Sequence, residues 1–453
     1  MVKVISRISD FFTIGDKRTL NAKKNISVAF ICKGVSIIVS FLIVPLTLGY
    51  VGKVEYGIWM IISSIIHWFS FFDIGLGNGL RNKLAEALAL NDKEQAKIYV
   101  SSVFALILLI STVMFVAFFI AANFISWNKV LNTDLVANNE LLLIVVMVFF
   151  FFCIEFVLKV VSSVLQAMQK YAVNDIIGLS SQILGLLAIY ILVKTTDGSL
   201  FNLCLVYGGK SAVVWLIATV VLFFTILKEL RPSIQFVKIK QALPLLNLGV
   251  RFFIAQILYI ILTQSSVIII AQFFGPSDVT TYNLSVRYMT IPSMVYMMVL
   301  TPFLSAFTEA YTKKEDDWIK KTLSKINKVW LITTLVTVLF VVFYKLFFKL
   351  WVGNELVVPF YLIACLCVFS LFSSWSSTYT LFLNGVGKIK LQIYVMTVQA
   401  CLFIPLSYLF FKCGFELASI VVVQIIFYAI SSLVFTLQYK KIVNSTAIGI
   451  WNK

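Results

Sequence analysis

The sequence predicts an all-α integral membrane protein of about twelve transmembrane helices, and three observations support this fold class. Hydrophobic residues make up 60% of the chain and charged residues only 13%, whereas about 25% of a soluble globular protein is charged. Apolar segments of about 20 residues, long enough to cross a bilayer, recur along the whole chain. Lysine and arginine gather in every second connection between these segments, which is typical of a multi-pass membrane protein.

The apolar segments place both termini on one side of the membrane, because their number is even. That side is predicted to be cytoplasmic, since the N-terminal tail, the even-numbered connections and the C-terminal tail carry most of the basic residues. The opposite connections are too short for a folded domain. The predicted spans are roughly 25–48, 56–76, 99–126, 140–168, 174–193, 202–227, 245–272, 281–308, 328–350, 357–383, 391–411 and 415–438.

The net charge of +17 does not indicate a nucleic-acid partner, because the basic residues lie in short loops where they encode topology. Gly209-Lys210-Ser211 resembles the end of a phosphate-binding loop, but Cys204 replaces the first glycine of that motif and the segment lies within a span. The cysteines have no histidine cluster beside them. We therefore predict no cofactor and no metal site.

The two halves of the chain share short patterns at equivalent positions, which predicts two six-helix halves. An even number of spans separates the copies, so the halves have the same orientation, with a pseudo-two-fold axis along the membrane normal and a cleft between them. The matched patterns are Glu86-Ala87 and Lys93-Glu94 with Glu309-Ala310 and Lys314-Glu315, Leu165–Tyr171 with Leu383–Ile389, and Gly52 with Gly275.

The repeat sets the predicted domain boundaries. A cytoplasmic N-terminal segment covers residues 1–24, and a cytoplasmic linker over 229–244 separates the six-helix halves 25–228 and 245–438. A cytoplasmic tail covers residues 439–453. The segment Phe71–Leu88 is predicted to leave the membrane after the second span and to continue as a cytoplasmic surface helix.

The run Asp73, Gly75, Gly77, Asn78 and the hairpin 383–388 resemble the polysaccharide-transporter branch of the multidrug/oligosaccharidyl-lipid/polysaccharide (MOP) exporter superfamily, and within it the Wzx-type O-antigen flippases. The resemblance implies a MATE-like V shape and alternating access. It also implies transport of an undecaprenyl-pyrophosphate-linked oligosaccharide, an O-antigen or related surface polysaccharide unit, to the periplasmic leaflet of a bacterial inner membrane. The implied partners are this lipid-linked oligosaccharide, membrane lipid, an H⁺ or Na⁺ counter-ion and the polysaccharide polymerase machinery.

Basic side chains within the predicted spans are candidates for substrate binding. A charge at a helix centre costs roughly 2.5–3.5 kcal/mol to insert and commonly faces a cavity or a partner. A cationic cavity suits an anionic pyrophosphate. We expect Lys33 and Arg251 to meet the substrate first, Arg287 to hold it toward the outer end of span 8, and Lys210 to assist. The alternative is snorkelling to the membrane interface.

Three further residues are candidates for ion coupling. Glu155 and Lys159 lie four residues apart on span 4 and are predicted to pair. This pair either eases insertion or lets Glu155 exchange a proton or bind Na⁺. His67, the only histidine, titrates in a range that suits proton coupling, although such residues also serve as hydrogen-bonded packing groups. Pro292 and Pro302 predict that span 8 bends.

Two other classes of protein fit parts of the pattern. A multidrug or cation antiporter of the same superfamily needs acidic groups in its lumen, whereas basic groups prevail here. A polysaccharide polymerase or ligase has similar hydropathy but needs a large extracytoplasmic loop, and the outer connections here are short. The sequence therefore predicts a transporter and not an enzyme.

Overall fold

A computed structural model of the chain describes residues 17–72, 75–301, 303–353 and 356–452. Regular secondary structure in these residues is helical throughout, because in lipid an apolar segment must satisfy its backbone hydrogen bonds internally. The all-α prediction is confirmed. Asp73, Pro302 and most of the predicted N-terminal segment 1–24 lie outside the described residues.

The chain packs as two compact units, Met1–Ile254 and Ala255–Lys453. The first contains α1 (Lys17–His67), α2 (Leu76–Ala89), α3 (Lys93–Ala122), α4 (Trp127–Leu131), α5 (Asn138–Leu158), α6 (Val160–Ala167), α7 (Tyr171–Thr195), α8 (Leu200–Phe224) and the start of α9 (Ile239–Phe274). The second continues with α10 (Pro276–Met289), α11 (Ile291–Leu300), α12 (Phe303–Thr312), α13 (Asp316–Val352), α14 (Phe360–Gly385), α15 (Lys390–Lys412) and α16 (Ala418–Val443).

These helices account for the predicted spans with three differences in continuity. Nine helices of the described residues are long and apolar enough to cross a membrane, and α1 contains both predicted spans 1 and 2. Span 8 consists of α10, α11 and the start of α12, with the helix interrupted at Thr290, two residues before Pro292. The bend predicted from Pro292 and Pro302 stays a prediction. Span 4 is divided at Lys159 into α5 and α6, a break that the sequence did not predict.

The predicted match between Gly52 and Gly275 is a shared backbone conformation. Gly52 has φ 77° and ψ 174°, and Gly275 has φ 94° and ψ 173°. This region of backbone space is essentially restricted to glycine. Gly52 divides α1 into its two spans and Gly275 separates α9 from α10, so the same turn follows the first span of each unit.

The helices α6 and α14 also end in the same way. In each unit a residue with positive φ precedes a lysine, and the lysine N–H returns to a leucine carbonyl, from Lys170 to Leu165 at 2.8 Å and from Lys388 to Leu383 at 3.0 Å. This pattern of hydrogen bonds is the Schellman motif of helix C-termini. Lys388 follows Lys170 by 218 residues, and this offset aligns the two hairpins.

The connections after α2 and α12 form a third structural pair and correct one predicted match. The N–H of Asp92 donates to Ala87, and the N–H of Glu315 donates to Ala310, each at 2.9 Å. Asp92 and Glu315 also occupy the N-cap positions of the helices that follow them, and the Asp92 carboxylate accepts a hydrogen bond from the Gln95 N–H. The match of the two alanines therefore holds, but Asp92 rather than Glu94 stands at the position of Glu315.

The surface helix predicted in Phe71–Leu88 is α2, and α12 is its counterpart. Each packs against the next long helix and against the span that ends in the Schellman motif, α3 and α6 in the first unit, α13 and α14 in the second. Leu84 and Ala87 are buried in the first of these cores, and Phe307 and Ala310 in the second. Two apolar residues three apart therefore anchor each surface helix.

The exposed faces of α2 and α12 carry one lysine–glutamate pair each. Lys83 Nζ lies 2.7 Å from Glu86, and Lys313 Nζ lies 2.5 Å from Glu309. The hydrogen bond to Glu86 raises the pKa of Lys83, and the hydrogen bond from Lys313 lowers the pKa of Glu309. Such exposed pairs contribute little to stability. They mark the polar sides of the two helices.

Candidate functional site

The first unit contains a cavity of about 460 Å³, here called the lysine cavity. Its walls come from α1, α7, α8 and the junction of α5 and α6. The basic side chains in the described part of the wall are Lys33, Lys159 and Lys210, and Asp175 is the one carboxylate there. Serine, asparagine and glutamine side chains complete the polar lining. The cavity therefore has a net positive charge and many neutral hydrogen-bonding groups.

Lys33 enters the cavity from α1, where its side chain is exposed. It lies 19 residues before Gly52, which places it about 28 Å along the helix from the turn at 1.5 Å per residue. Lys33 is thus near one end of its span, close to the starts of α6 and α7. The cavity position agrees with the predicted role in first contact with substrate, which stays a prediction.

An aromatic group holds Lys210 in place. Its ammonium lies 4.4 Å from the centroid of the Tyr207 ring, a geometry in which the ring face attracts a cation. Tyr207 is fixed in turn by stacking on Trp59 at 4.9 Å and by a 3.1 Å hydrogen bond between its hydroxyl and that of Thr47. Lys210 therefore stands on a ring that two residues of α1 position.

Gly185 of α7 makes room for the Lys210 side chain. A Cβ atom added at Gly185 would lie 2.5 Å from Cδ and 2.9 Å from Nζ of Lys210, far inside van der Waals contact. With any other residue at position 185, the Lys210 side chain would have to shift from this position. Lys210 is half-buried and packs within the unit.

The predicted pair between Lys159 and Glu155 forms. Lys159 Nζ lies 2.5 Å from Glu155, whose side chain is 19% exposed against 54% for the lysine. Lys159 also ends α5 and begins α6, and its carbonyl accepts a hydrogen bond from the Ser162 N–H, three residues on. His67, the last residue of α1, lies within electrostatic range of both charges. The structure therefore pairs two of the three coupling candidates, and one of these, Lys159, lines the lysine cavity.

Hydrogen bonds connect the cavity wall to the surface helix α2. Arg81 of α2 donates to Gln166 at 3.4 Å, and the Gln166 amide donates to the Ser162 hydroxyl at 3.1 Å. That hydroxyl donates to Asn174 of α7 at 2.6 Å. Ser162 and Asn174 line the cavity, so a chain of four side chains joins α2, α6 and α7.

The two predicted arginines lie elsewhere. Arg251 is in α9, and its side chain lies outside the described part of the structure. Arg287 is half-buried in the last turn of α10, in the second unit. The helix α10 begins at Pro276, whereas span 8 was predicted to begin at residue 281. Arg287 lies 12 residues after Gly275, about 18 Å along the helix. Arg287 is therefore deeper in span 8 than predicted.

A search for charged residues within spans missed most of the α7 wall. Asn174, Gly178, Ser181 and Gly185 follow one another at spacings of four, three and four residues, the repeat of a single helix face. The first three line the cavity and the fourth accommodates Lys210. This stripe of small and polar residues is a sequence signal for a cavity wall inside an apolar span.

Comparison with known proteins places the chain in a family. A sequence profile described as "Polysaccharide biosynthesis protein" matches residues 22–308, well over half of the chain. The chain belongs to this family. A Yersinia pseudotuberculosis protein provisionally described as an O-antigen export protein is 24% identical over 365 residues, 79% of this chain and 81% of that protein. A Salmonella typhi protein provisionally described as an O-antigen transporter is 23% identical, over 79% of this chain and 82% of its own length.

Solved structures show the fold of this polysaccharide biosynthesis protein. An inward-facing multidrug resistance MATE family transporter of the MOP superfamily superposes with a TM-score of 0.69 at 15% identity, covering 98% of both chains. A Vibrio cholerae MATE transporter gives 0.63 at 15% identity, covering 96% of this chain and all of that one. The predicted resemblance, the fold of about twelve membrane helices, and the prediction of a transporter and not an enzyme are confirmed.

Proposed function

We propose that this protein moves an undecaprenyl-pyrophosphate-linked oligosaccharide from the cytoplasmic to the periplasmic leaflet of a bacterial inner membrane by alternating access. The observation that carries the proposal is the lysine cavity, where lysines from three separate helical segments meet within one membrane-embedded unit. The descriptions of the two relatives support a surface glycan as cargo. A glycan linked to a lipid through pyrophosphate would explain the positive charge of the lysine cavity, because the pyrophosphate is the anionic part of such a substrate.

The chemistry of the lysine cavity suits a pyrophosphate. Each ammonium is a compact charge with three donors, and Lys33, Lys159 and Lys210 reach the cavity from different directions. In the proposed complex the pyrophosphate occupies the cavity, the polyprenyl chain stays in the bilayer, and Asp175 limits how tightly the anion is held.

Ion coupling follows from competition for Lys159. In the free protein Glu155 holds this lysine at 2.5 Å. A bound pyrophosphate draws the Lys159 ammonium toward itself and leaves the Glu155 carboxylate without its counter-charge. A carboxylate in that position favours uptake of a proton or Na⁺. Binding of the substrate and binding of the counter-ion are thereby linked.

The cation-antiporter alternative receives less support. The cavity wall presents three lysines and one aspartate in its described part, so an organic cation entering it meets net repulsion. The similarity to MATE transporters is at 15% identity and shows the fold alone.

Charge-neutralising variants of the lysine cavity test the proposal in cells. Lys33→Gln, Lys159→Gln and Lys210→Gln should each lower surface glycan at least tenfold at unchanged protein level, with lipid-linked units accumulating in the inner leaflet. Lys194→Gln is the matched control, because Lys194 is an exposed lysine in the last turn of α7, away from the cavity. Normal surface glycan in all three cavity variants would rule the cationic site out.

A further inference from the structure

The second unit contains its own cavity, about 220 Å³ in volume, here called the glutamine cavity. It lies between α9, α14, α15 and α16. Gln392 and Gln399 of α15 and Gln424 of α16 line it, together with hydroxyl side chains that include Ser377 and Thr380 of α14. Nothing in the proposed function uses this space.

The glutamine cavity is the repeat counterpart of the lysine cavity. When 218, the offset between the Schellman motifs, is added to the numbers of five residues that line the first cavity, the result is five residues that line the second. The pairs are Lys159 and Ser377, Ser162 and Thr380, Asn174 and Gln392, Gly178 and Met396, and Ser181 and Gln399. One internal repeat has therefore produced two cavities at equivalent places.

The two cavities differ in charge. Ser377 stands where the first cavity has Lys159, and Ile393 stands where it has Asp175. No charged side chain occurs among the described residues that line the glutamine cavity. An ion placed there would lose hydration without a counter-charge. The ligand that fits this cavity is uncharged.

The polar groups of the glutamine cavity are held in position by hydrogen bonds. The Gln399 amide donates to the Phe427 carbonyl and to the Ser431 hydroxyl, both at 2.9 Å. Gln424 donates to the Ser266 hydroxyl at 3.2 Å. Fixed amides of this kind present defined donors and acceptors, as specific binding sites for polar ligands do.

Gln392 differs from the other two glutamines. Its side-chain oxygen is buried and accepts no hydrogen bond from the protein. A buried acceptor is unfavourable until a ligand or a water pairs with it, and polar side chains within membrane spans commonly mark substrate pathways. The position is equivalent to Asn174, whose side-chain oxygen accepts from Ser162. Gln392 thus offers an acceptor for a ligand hydroxyl or amide.

Aromatic rings provide the rest of the lining. Phe369, Phe427, Tyr428 and Phe435 border the cavity, and Tyr428 meets Phe369 edge to face at 5.3 Å. A sugar ring has hydroxyl groups at its edge and apolar C–H faces, so it needs amide or hydroxyl partners and aromatic surface together. The glutamine cavity presents both, without charge.

We propose that the glutamine cavity binds an uncharged sugar residue of the transported glycan, while the lysine cavity binds the pyrophosphate. The volume is below the range of about 300–1,000 Å³ found for drug-sized ligands and suits one monosaccharide. The inference deepens the proposed function and rests on it. It assigns the two chemical parts of one substrate to the two copies of a duplicated cavity.

Two probes separate the parts of the substrate. The full-length protein in nanodiscs is titrated with undecaprenyl pyrophosphate, which has no sugar, and with the lipid-linked oligosaccharide extracted from cells that lack the transporter. Gln392→Leu and Thr380→Val should each weaken binding of the glycosylated probe about tenfold and leave binding of the bare lipid within twofold. Thr397→Val is the matched control on α15, because Thr397 is exposed and does not line the cavity.

Each outcome decides a different point. Unchanged binding of the glycosylated probe by both cavity variants would mean that the cavity holds only water, about seven molecules at roughly 30 Å³ each, and would overturn the inference. Equal losses for both probes would show a structural role and would overturn it too. Lys33→Gln should weaken both probes. If it weakens neither while Gln392→Leu still weakens the glycosylated probe, the phosphate site of the proposed function fails and the sugar site stands.

Discussion

At the scale of single residues, the site depends on how one lysine is accommodated. Lys210 lies across the backbone of α7 at Gly185 and points its ammonium over Tyr207. Both contacts are needed to keep a long, flexible cation inside the unit, since an unrestrained lysine snorkels toward water. Gly185 of α7 therefore belongs to the cationic site, because it leaves the space in which the Lys210 side chain lies.

Gly185→Ala should lower transport at a normal protein level. The new methyl group would lie 2.5 Å from Lys210 Cδ and push the ammonium out of the cavity. Gly49→Ala is the control, because Gly49 is also helical and an added Cβ there meets nothing within 4 Å. Surface glycan is the measurement, with at least a fivefold decrease expected for Gly185→Ala and none for Gly49→Ala. Equal glycan for both variants would contradict the packing of Lys210.

At the scale of secondary-structure elements, the repeat is a set of shared backbone turns. Gly52 and Gly275 adopt the same glycine-specific conformation, and α6 and α14 end in the same Schellman motif. Such turns determine where each helix starts and how it is rotated. The shared turns therefore explain why cavities occur at equivalent places in both units although most side chains differ.

Gly52→Ala and Gly275→Ala should destabilise the protein to similar extents. Space is available for a methyl group at both positions, so the cost comes from the backbone conformation alone. We expect about 1–3 kcal/mol for each. The midpoint of thermal unfolding in detergent should fall for both variants relative to Gly49→Ala. A fall for one glycine only would show that the two turns are not equivalent.

A break in the hydrogen-bond chain from α2 to the cavity should reduce transport without reducing stability much. Gln166→Leu removes the side chain that joins Arg81 to Ser162. If α2 helps to position Asn174, this variant and Arg81→Gln should each lower surface glycan, and the double variant should lower it no further than either one. Additive losses would show that the two residues act separately.

The sequence predicted much of the fold but less of the site, for physical reasons. Hydropathy and loop charge are properties of short stretches of sequence, so the spans could be predicted from them. The turn at Gly52 could be predicted because a glycine occurs at the equivalent position 275. The break at Lys159 could not be predicted, because no proline or glycine lies near it in the sequence. The approach of Lys210 to Gly185 depends on how α8 packs against α7, a tertiary contact that no spacing encodes. The sequence predicted Lys33 and Lys210 for one cationic cavity, but it did not place Lys159 there with them.

At the scale of the whole molecule, the proposal requires the lysine cavity to be reached from the cytoplasm. Labelling with a membrane-impermeant maleimide in spheroplasts tests the orientation. Cys401 and Cys413 are exposed and must first be replaced by serine. Asp134→Cys, between α4 and α5, should be labelled in intact spheroplasts, and Glu94→Cys, at the start of α3, only after permeabilisation. The reverse pattern would place the cavity on the wrong side for loading.

The whole molecule also combines two units that carry the same cavity with different chemistry. The lysine cavity has net positive charge, whereas the described wall of the glutamine cavity is neutral. A substrate with an anionic headgroup and an uncharged glycan matches this division. In the proposed function, transport of the lipid-linked glycan depends on the cationic copy.

The most direct test is translocation by the purified protein in proteoliposomes. Lipid-linked oligosaccharide is loaded in one leaflet, and its appearance in the other is followed by the access of an added glycan-cleaving enzyme. The wild-type protein and Lys194→Gln should move the substrate, and Lys33→Gln and Lys210→Gln should do so at least ten times more slowly. Equal rates for all four proteins, or no movement by the wild type, would contradict the account.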